Sequence, residues 1–232
     1  MLRRAYQLML GHFGHQHWWP GDTPFEVCIG AILTQNTSWS NVERAILNLK
    51  TAEVLDPATM LALGEPALAQ LIRPAGYFNV KARRLRSFLH VLVKDFGGSL
   101  KNLFAGGTTE VRARLLAING IGPETADSML LYAGGHHSFV IDAYTRRIFQ
   151  RHHWITTAAD YDKLQNFCEN ALRHKTGAKR LDYWQDFHAQ LVMVGKHFCR
   201  SRQPRCERCP LKEVLPKGRK SLKRRTGVRA PP

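Results

Sequence analysis

One acidic residue stands in a setting suited to chemistry on a developing positive charge. Asp142 follows the apolar run FVI and precedes AYTRRI, which has helical spacing, so the residue is predicted at the N-terminus of a helix. A carboxylate fixed there in a partly dry pocket could stabilise a cation or activate a water molecule. A helix cap alone would also explain this residue, so the segments that position it must decide.

The segment LLAINGIGPETA, residues 115–126, predicts two helices joined by a tight turn. Gly120 and Gly122 permit backbone angles that other residues avoid, and Ile121 between them fastens the turn to the core. The second helix begins at Pro123, and its unpaired amides near Thr125 favour an anion. This is the form of a helix-hairpin-helix, which grips one DNA strand by its phosphates without reading sequence.

The charge of the chain agrees with a polyanionic partner. The 232 residues carry a net charge of +16, and twelve Lys or Arg residues stand against two Glu residues from Arg200 onward. Residues 216–232 are therefore predicted to form a disordered basic tail. The sequence lacks an apolar run long enough to span a bilayer, a signal peptide and a disulfide framework, so we expect a cytoplasmic, nucleoid-associated protein.

Helical periodicity dominates the chain, and the predicted class is all-α with about ten helices. HSFVI is the one strand-like segment, and five residues cannot build a sheet. Thr23 and Pro24 are predicted to begin one early helix. Lys81, Arg83 and Arg84 are read as the solvated face of a long amphipathic helix that could also touch a DNA backbone.

LLAINGIGPETADSMLLYA, followed by FVIDAYTRRI, resembles the helix-hairpin-helix and aspartate signature of the endonuclease III superfamily of DNA glycosylases. GAILTQNTSWSNVERA and IRPAGYFNVKARRL extend the similarity. HWWPGDTPFEVCIGAILTQNTSW, GYFNVKARRL and FHAQLVMVGK resemble the 3-methyladenine DNA glycosylase III branch. The resemblance implies two helical lobes with an interlobe active-site cleft. One lobe is a central bundle of residues 23–135, and the other combines residues 1–22 with 136–215.

The resemblance also implies roles for the two acids. Asp142 stands 20 residues after Gly122, where the family has its catalytic aspartate. Bifunctional members carry a lysine 18 residues before that aspartate, which attacks the sugar and leads to strand cleavage. Glu124 occupies this position and cannot form an imine, so weak or absent AP lyase activity is expected. Glu124 itself is read as a first-turn helix acid.

Aromatic residues are the candidates for the base pocket. Alkylated purines are electron-poor and often cationic, so they suit stacking on aromatic faces. Trp18, Trp19 and Trp39 could provide such faces, although packing would equally explain each of them. Lys196 could line the same pocket or contact a phosphate, or it could be a surface lysine.

Two further residues match family positions that contact DNA. Gln35 matches the residue that fills the gap left by a flipped nucleotide, and Tyr77 matches the loop that wedges into the opposite strand. Solvent exposure of the glutamine and packing of the tyrosine are the alternatives. The expected DNA-binding set is Gln35, Tyr77, Gly120, Ile121, Gly122 and Thr125.

Three cysteines form an incomplete metal motif. Cys199, Cys206 and Cys209 have the spacing C-x6-C-x2-C, but Leu215 stands where superfamily members with a [4Fe–4S] cluster place the fourth cysteine. We interpret the site as degenerate and empty, with no cofactor required. A cluster with a non-cysteine ligand, or a zinc ion, remains an alternative.

The sequence therefore predicts a monofunctional DNA glycosylase that removes alkylated purines of the 3-methyladenine type from double-stranded DNA. A glycosylase for oxidised pyrimidines or mismatched bases is one alternative, and a non-catalytic protein that binds damaged DNA is another. A monomer is expected, because one pair of lobes already makes a complete site.

Overall fold

The computed structural model describes residues 1–18, 21–156 and 158–216, and the regular secondary structure among them is entirely helical. No strand occurs among them, and the α-class prediction is confirmed. The helices are α1 (Leu2–Phe13), α2 (Pro24–Leu33), α3 (Trp39–Thr51), α4 (Pro57–Ala62), α5 (Glu65–Leu71), α6 (Phe78–Phe96), α7 (Leu100–Leu103), α8 (Thr108–Leu116), α9 (Pro123–Tyr132), α10 (Ala143–Arg151), α11 (Tyr161–Leu172) and α12 (Gly177–His197). Short 3-10 turns cover Arg73–Ala75, Cys206–Arg208 and Pro210–Val214.

The strand-like segment HSFVI forms an irregular connection between α9 and α10. Its apolar residues Phe139 and Val140 are buried, which explains the strand-like composition. A strand also needs a neighbouring strand to pair with, and the described chain supplies none. Composition therefore indicated burial correctly and secondary structure incorrectly.

The chain divides into two compact units. We call residues 17–140 and 173–185 the hairpin unit. Residues 1–16 and 141–172, with the described residues from Asp186 onward, are the aspartate unit.

The hairpin unit is built around α6. Leu85, Phe88, Leu89 and Leu92 lie on one face of this helix and are fully buried. Against it pack α2, α4 and α5, while α9 packs on α2 and on α8. Each fully buried large apolar side chain contributes roughly 1.5–3 kcal/mol, so this face dominates the local stability.

Local capping sets the start of α2 as the sequence predicts. The Thr23 hydroxyl accepts a hydrogen bond from the Glu26 N–H at 3.1 Å, and Pro24 occupies the first helical turn.

In the aspartate unit, α1 packs on α11 and on the turn Pro210–Val214. A polar network also anchors the central part of α12. The Tyr6 hydroxyl and the Gln16 N–H donate to opposite oxygens of Asp186, at 2.8 and 2.7 Å. Gln190 Nε2 donates to the Gly14 carbonyl at 2.6 Å. Residues 186–190 are therefore held rigidly on the side that faces the start of the chain.

The basic tail predicted for residues 216–232 lies outside the described residues from Lys217 onward. None of the helices in the described ranges combines the length and apolar character that a membrane crossing requires.

Candidate active site and hairpin

The turn between α8 and α9 contains Gly120 and Gly122, and its backbone conformation requires glycine only at Gly120. Gly120 has φ of +90°, and a Cβ atom there would collide with the Arg84 side chain. Gly122 is the N-cap of α9 in ordinary extended geometry, with φ of −95°. A Cβ atom at Gly122 would meet no heavy atom within 4 Å. The expectation of special angles at both glycines is thus correct for Gly120 only, and Gly122 instead leaves open space at the helix start.

Apolar and ionic contacts hold the hairpin to the core and its two helices to each other. Ile121 is 5% exposed and belongs to the core, as its predicted role requires. Arg112 on α8 donates from Nε and Nη2 to the two oxygens of Asp127 on α9, at 2.9 and 3.1 Å. The Ser138 hydroxyl donates to the same carboxylate at 2.6 Å. This partly buried ion pair joins the two hairpin helices, and the sequence did not reveal it.

Gln35 is tied to the hairpin by its side chain. Its Nε2 donates to the Gly120 carbonyl and to Thr125 Oγ1, both at 3.0 Å. Its Oε1 accepts a hydrogen bond from Arg84 Nη1. The structure thus brings three of the predicted DNA-binding residues into contact, and the solvent-glutamine alternative is wrong.

Tyr77 lies in the turn that precedes α6. Its side chain is exposed, at 71% of the full surface, and its backbone has φ of +46°. A left-handed conformation costs a non-glycine residue about 1–2 kcal/mol. Because this exposed ring gains little from burial, the packing alternative is wrong. Wedging into DNA stays a prediction.

Lys81 corrects the reading of α6 as a solvated basic face. Its side chain is buried, with 1% exposure, and Nζ donates to the carbonyls of Leu33 and Ala75 at 2.8 and 2.7 Å. Burial, together with the nearby charge of Arg84, lowers the pKa of Lys81 to about 8. The nearby Arg83 and Arg84 concealed this residue, because helical periodicity does not show which polar side chain turns inward.

Asp142 is the N-cap of α10, as the sequence predicts. Its Oδ1 accepts from the Thr145 N–H at 2.7 Å. Its Oδ2 lies 3.7 Å from Nε2 of His188 on α12, and both side chains are largely buried. Burial of the Asp142 carboxyl opposes its ionisation, but the His188 imidazole and the Thr145 N–H together hold the pKa below its ordinary value. The residue is therefore an ionised, oriented carboxylate at neutral pH.

His188 was not identified from sequence, because it stands 46 positions from Asp142 in a helix whose pattern does not show which side chains face α10. A close contact also seats α10 on α12 near this pair. Gly195 faces Tyr144, and a Cβ atom at Gly195 would collide with that ring. Lys196, the next residue, is exposed near the end of α12.

Two of the three candidate pocket tryptophans are described, whereas Trp19 lies outside the described residues. Trp18 is half-buried, and its ring centre lies 6.3 Å from that of Tyr132. Trp39 begins α3 and packs against the core over Gly30, where a Cβ atom would lie 3.3 Å from the indole. Trp39 therefore packs against the core, and its role in stacking on a base stays a prediction.

The cysteine cluster supplies three of the four thiolates that an ordinary [4Fe–4S] cluster uses. Cys199, Cys206 and Cys209 line one cavity together with Arg151 and Leu215. Arg151 Nη1 donates to Cys199 Sγ at 3.3 Å, whereas Leu215 has no donor atom to offer as a fourth ligand. In the described parts of the chain, no three His, Cys, Asp or Glu side chains are placed to hold an ion. The cavity therefore lacks the fourth cysteine of an ordinary cluster, and whether the protein binds or needs a cofactor stays a prediction.

Comparison with known proteins assigns this arrangement to a family. The model of the HhH-GPD superfamily of base excision DNA repair proteins matches residues 29–174. "Putative DNA repair glycosylase MJ1434" of Methanocaldococcus jannaschii is 45% identical over 214 residues, which cover 92% of this chain and 94% of that protein. Endonuclease III of Thermotoga maritima is 28% identical over 190 residues, covering 82% and 81% of the two chains.

A solved structure has the same fold. The H. pylori 3-methyladenine DNA glycosylase, bound to 1,N6-ethenoadenine, superposes with a TM-score of 0.72 at 30% identity. The superposition covers 84% of this chain and 95% of that one.

Proposed function

Because the chain belongs to the HhH-GPD superfamily of base excision DNA repair proteins, we propose that it is a monofunctional DNA N-glycosylase. It extrudes a damaged nucleotide from double-stranded DNA, hydrolyses the N-glycosidic bond with Asp142 and water, and leaves an abasic site. The proposal includes action as a monomer on DNA in the cytoplasm or nucleoid.

The observation that carries this proposal is the state of Asp142. One carboxylate oxygen is fixed by the Thr145 N–H at 2.7 Å, and the lowered pKa keeps the group ionised. The N-terminus of α10 adds a favourable dipole. A fixed negative charge of this kind stabilises the cationic sugar that forms as the bond breaks.

The chemical step then needs no further covalent partner. The electron pair of the N-glycosidic bond leaves with the base, and the oxygen of a water molecule bonds to C1′ of the sugar. A proton from that water passes to Asp142 or to solvent. A base that carries a positive charge leaves readily, which suits alkylated purines to this machinery.

The hairpin supplies the grip on the backbone. Gly122 leaves open space at the first turn of α9, where helix amides favour a phosphate. The net charge of +16 adds attraction that does not depend on sequence.

Two observations favour hydrolysis without strand cleavage. Glu124 lies in the first turn of α9, at the position where bifunctional members of the family carry the lyase lysine. Lys81, a buried lysine with a lowered pKa, uses its ammonium group to bind the Leu33 and Ala75 carbonyls. Its amine is therefore not available to replace the lyase lysine as a nucleophile.

The substrate we propose is an alkylated purine of the 3-methyladenine type. The 30% identity to the H. pylori 3-methyladenine DNA glycosylase supports it. The half-buried Trp18, whose ring centre lies 6.3 Å from that of the buried Tyr132, also supports it. The alternative substrates are oxidised pyrimidines or mismatched bases, which the similarity to endonuclease III of Thermotoga maritima favours.

Release of free base from defined duplexes tests the proposal. Oligonucleotides that contain 3-methyladenine, 7-methylguanine, 1-methyladenine or thymine glycol would be incubated with enzyme in excess, and the released base measured. We expect release of an alkylated purine, and a loss of about 10²–10³-fold in Asp142→Asn. Asp95→Asn, which changes an exposed acid of α6, is the matched control.

The outcomes separate the candidate functions. Preferred release of thymine glycol would replace the substrate assignment, whereas binding of damaged DNA without release of any base would indicate a non-catalytic protein. Borohydride trapping at the efficiency of a bifunctional enzyme would contradict the monofunctional mechanism.

A further inference from the structure

One ammonium group connects two separate backbone segments of the hairpin unit. Lys81 Nζ donates to the carbonyl of Leu33, the last residue of α2, and to that of Ala75, the last residue of the turn Arg73–Ala75. The distances are 2.8 and 2.7 Å. A cation is favourable at the end of α2, where the carbonyls lack partners within the helix.

Each of these carbonyls lies two residues before a side chain that is expected to enter the DNA, and we call these two residues, Gln35 and Tyr77, the DNA probes. Gln35 follows Leu33, and Tyr77 follows Ala75. Tyr77 is also the N-cap of α6, the helix that carries the lysine, and its carbonyl accepts a hydrogen bond from the Lys81 N–H at 3.0 Å. The backbone just before each DNA probe is therefore held by the same buried ammonium group.

Arg84, one turn further along α6, acts on the side chain of the first probe. Its Nη1 donates to Gln35 Oε1, which directs Gln35 Nε2 toward Gly120 and Thr125. The stem of Arg84 also occupies the space that a side chain at Gly120 would need. The glutamine, the hairpin and α6 are thus packed as one group.

We propose that Lys81 and Arg84 are positioning residues for extrusion of the nucleotide: Lys81 fixes the spacing of the Gln35 and Tyr77 segments, and Arg84 aims Gln35. This inference rests on the proposed function, since it takes Gln35 and Tyr77 as the residues that enter the DNA. Neither positioning residue touches the reacting atoms.

The chemistry of the anchor favours this role over simple core packing. A methionine of similar length would fill the same volume without the cost of burying a cation. The ammonium group instead supplies directional donors, and two of its bonds hold backbone oxygens from segments 42 residues apart in sequence. Such bonds fix where the chain emerges, which apolar contacts do much less sharply.

Binding to an abasic-site analogue tests the inference without any base release. A duplex containing a tetrahydrofuran residue offers the gap that Gln35 and Tyr77 would fill, and an intact duplex of the same sequence reports the hairpin grip. We expect wild-type protein to prefer the analogue. Lys81→Met and Arg84→Met should each lower that preference about tenfold, with affinity for the intact duplex nearly unchanged.

Two controls separate positioning from general damage. Lys94→Met changes an exposed lysine on the same helix and should keep the full preference. In a Gln35→Ala, Tyr77→Ala background, Lys81→Met should cause no further loss, because it acts through those residues. If Lys81→Met does not fold, as judged by circular dichroism, Arg84→Met decides the result.

The failures are distinguishable. Wild-type protein that binds both duplexes equally would overturn the insertion of Gln35 and Tyr77 and this inference with it, whereas the absence of base release would overturn the proposed function. A wild-type preference that survives in full in the folded Lys81→Met and Arg84→Met variants would overturn the positioning role alone.

Discussion

Asp127 in the hairpin unit and Asp142 in the aspartate unit are both largely shielded from solvent, and they differ in how their oxygens are used. In the hairpin unit, Asp127 accepts three hydrogen bonds, two from Arg112 and one from Ser138. In the aspartate unit, Asp142 accepts one bond from the Thr145 N–H, and its Oδ2 lies 3.7 Å from His188, beyond hydrogen-bond length. A carboxylate saturated with donors holds helices together, whereas one with remaining acceptor capacity can receive water or face a cation.

The largest expected difference between the two is in stability. Asp127→Asn removes the fully buried carboxylate of the pair with Arg112 and should lower the free energy of unfolding by about 3 kcal/mol. Asp142→Asn should lower it by less than about 1 kcal/mol, because Asn caps helices nearly as well as Asp. Urea unfolding of both variants measures the difference. Equal losses would mean that the two carboxylates do the same structural work.

The hairpin offers a second contrast within its own unit. Gly120→Ala places a side chain at φ of +90° against Arg84, and it should cost about 1–3 kcal/mol of stability. Gly122→Ala meets open space in an extended conformation and should leave stability almost unchanged. If a phosphate approaches that space, Gly122→Ala should nevertheless weaken binding to duplex DNA. Thermal melts and DNA titrations of both variants together check this separation.

His188 sharpens the comparison on the side of the aspartate unit. His188→Leu removes a group that lowers the pKa of Asp142, so that pKa should rise. Because the proposed mechanism uses the ionised form of Asp142, the acid limb of the excision profile should move to higher pH, with a rate loss of about tenfold near its midpoint. His197→Leu, on the exposed end of the same helix, is the control. An unmoved acid limb would exclude an electrostatic role for His188.

The smallest effect concerns stability as a function of pH. Since the pKa of Asp142 is lowered in the folded protein, its ionised form stabilises the fold above the ordinary carboxyl range. That contribution should disappear as the pH falls below about 4 and through the lowered pKa. The difference in unfolding free energy between wild type and Asp142→Asn should therefore shrink between pH 7 and the acid range. A difference that grows on acidification would contradict the direction of the pKa shift.

Features encoded by short sequence motifs could be predicted. The all-helical class, the start of α2 at Pro24, the hairpin with Ile121 in the core and the capping position of Asp142 all follow from residues adjacent in sequence. The glycine hairpin and the aspartate also led to the correct superfamily.

Features made by distant residues could not be predicted. The contacts of Lys81 with Leu33, of Gln35 with Gly120, and of Asp142 with His188 span 48, 85 and 46 positions. Periodicity assigns a polar residue to a face of its helix but does not show what lies opposite. A buried lysine beside two arginines therefore looked like part of a solvated surface.

The contact between Gly195 and Tyr144 limits how this protein could be engineered. Replacing a glycine inside a helix by alanine is a common route to higher stability, with a typical gain of about 1 kcal/mol. At Gly195 the added methyl group would push away the Tyr144 ring, and with it the helix that starts one residue after Asp142. A consensus or thermostabilising design that fills this position would therefore gain helix propensity and displace the helix that Asp142 caps.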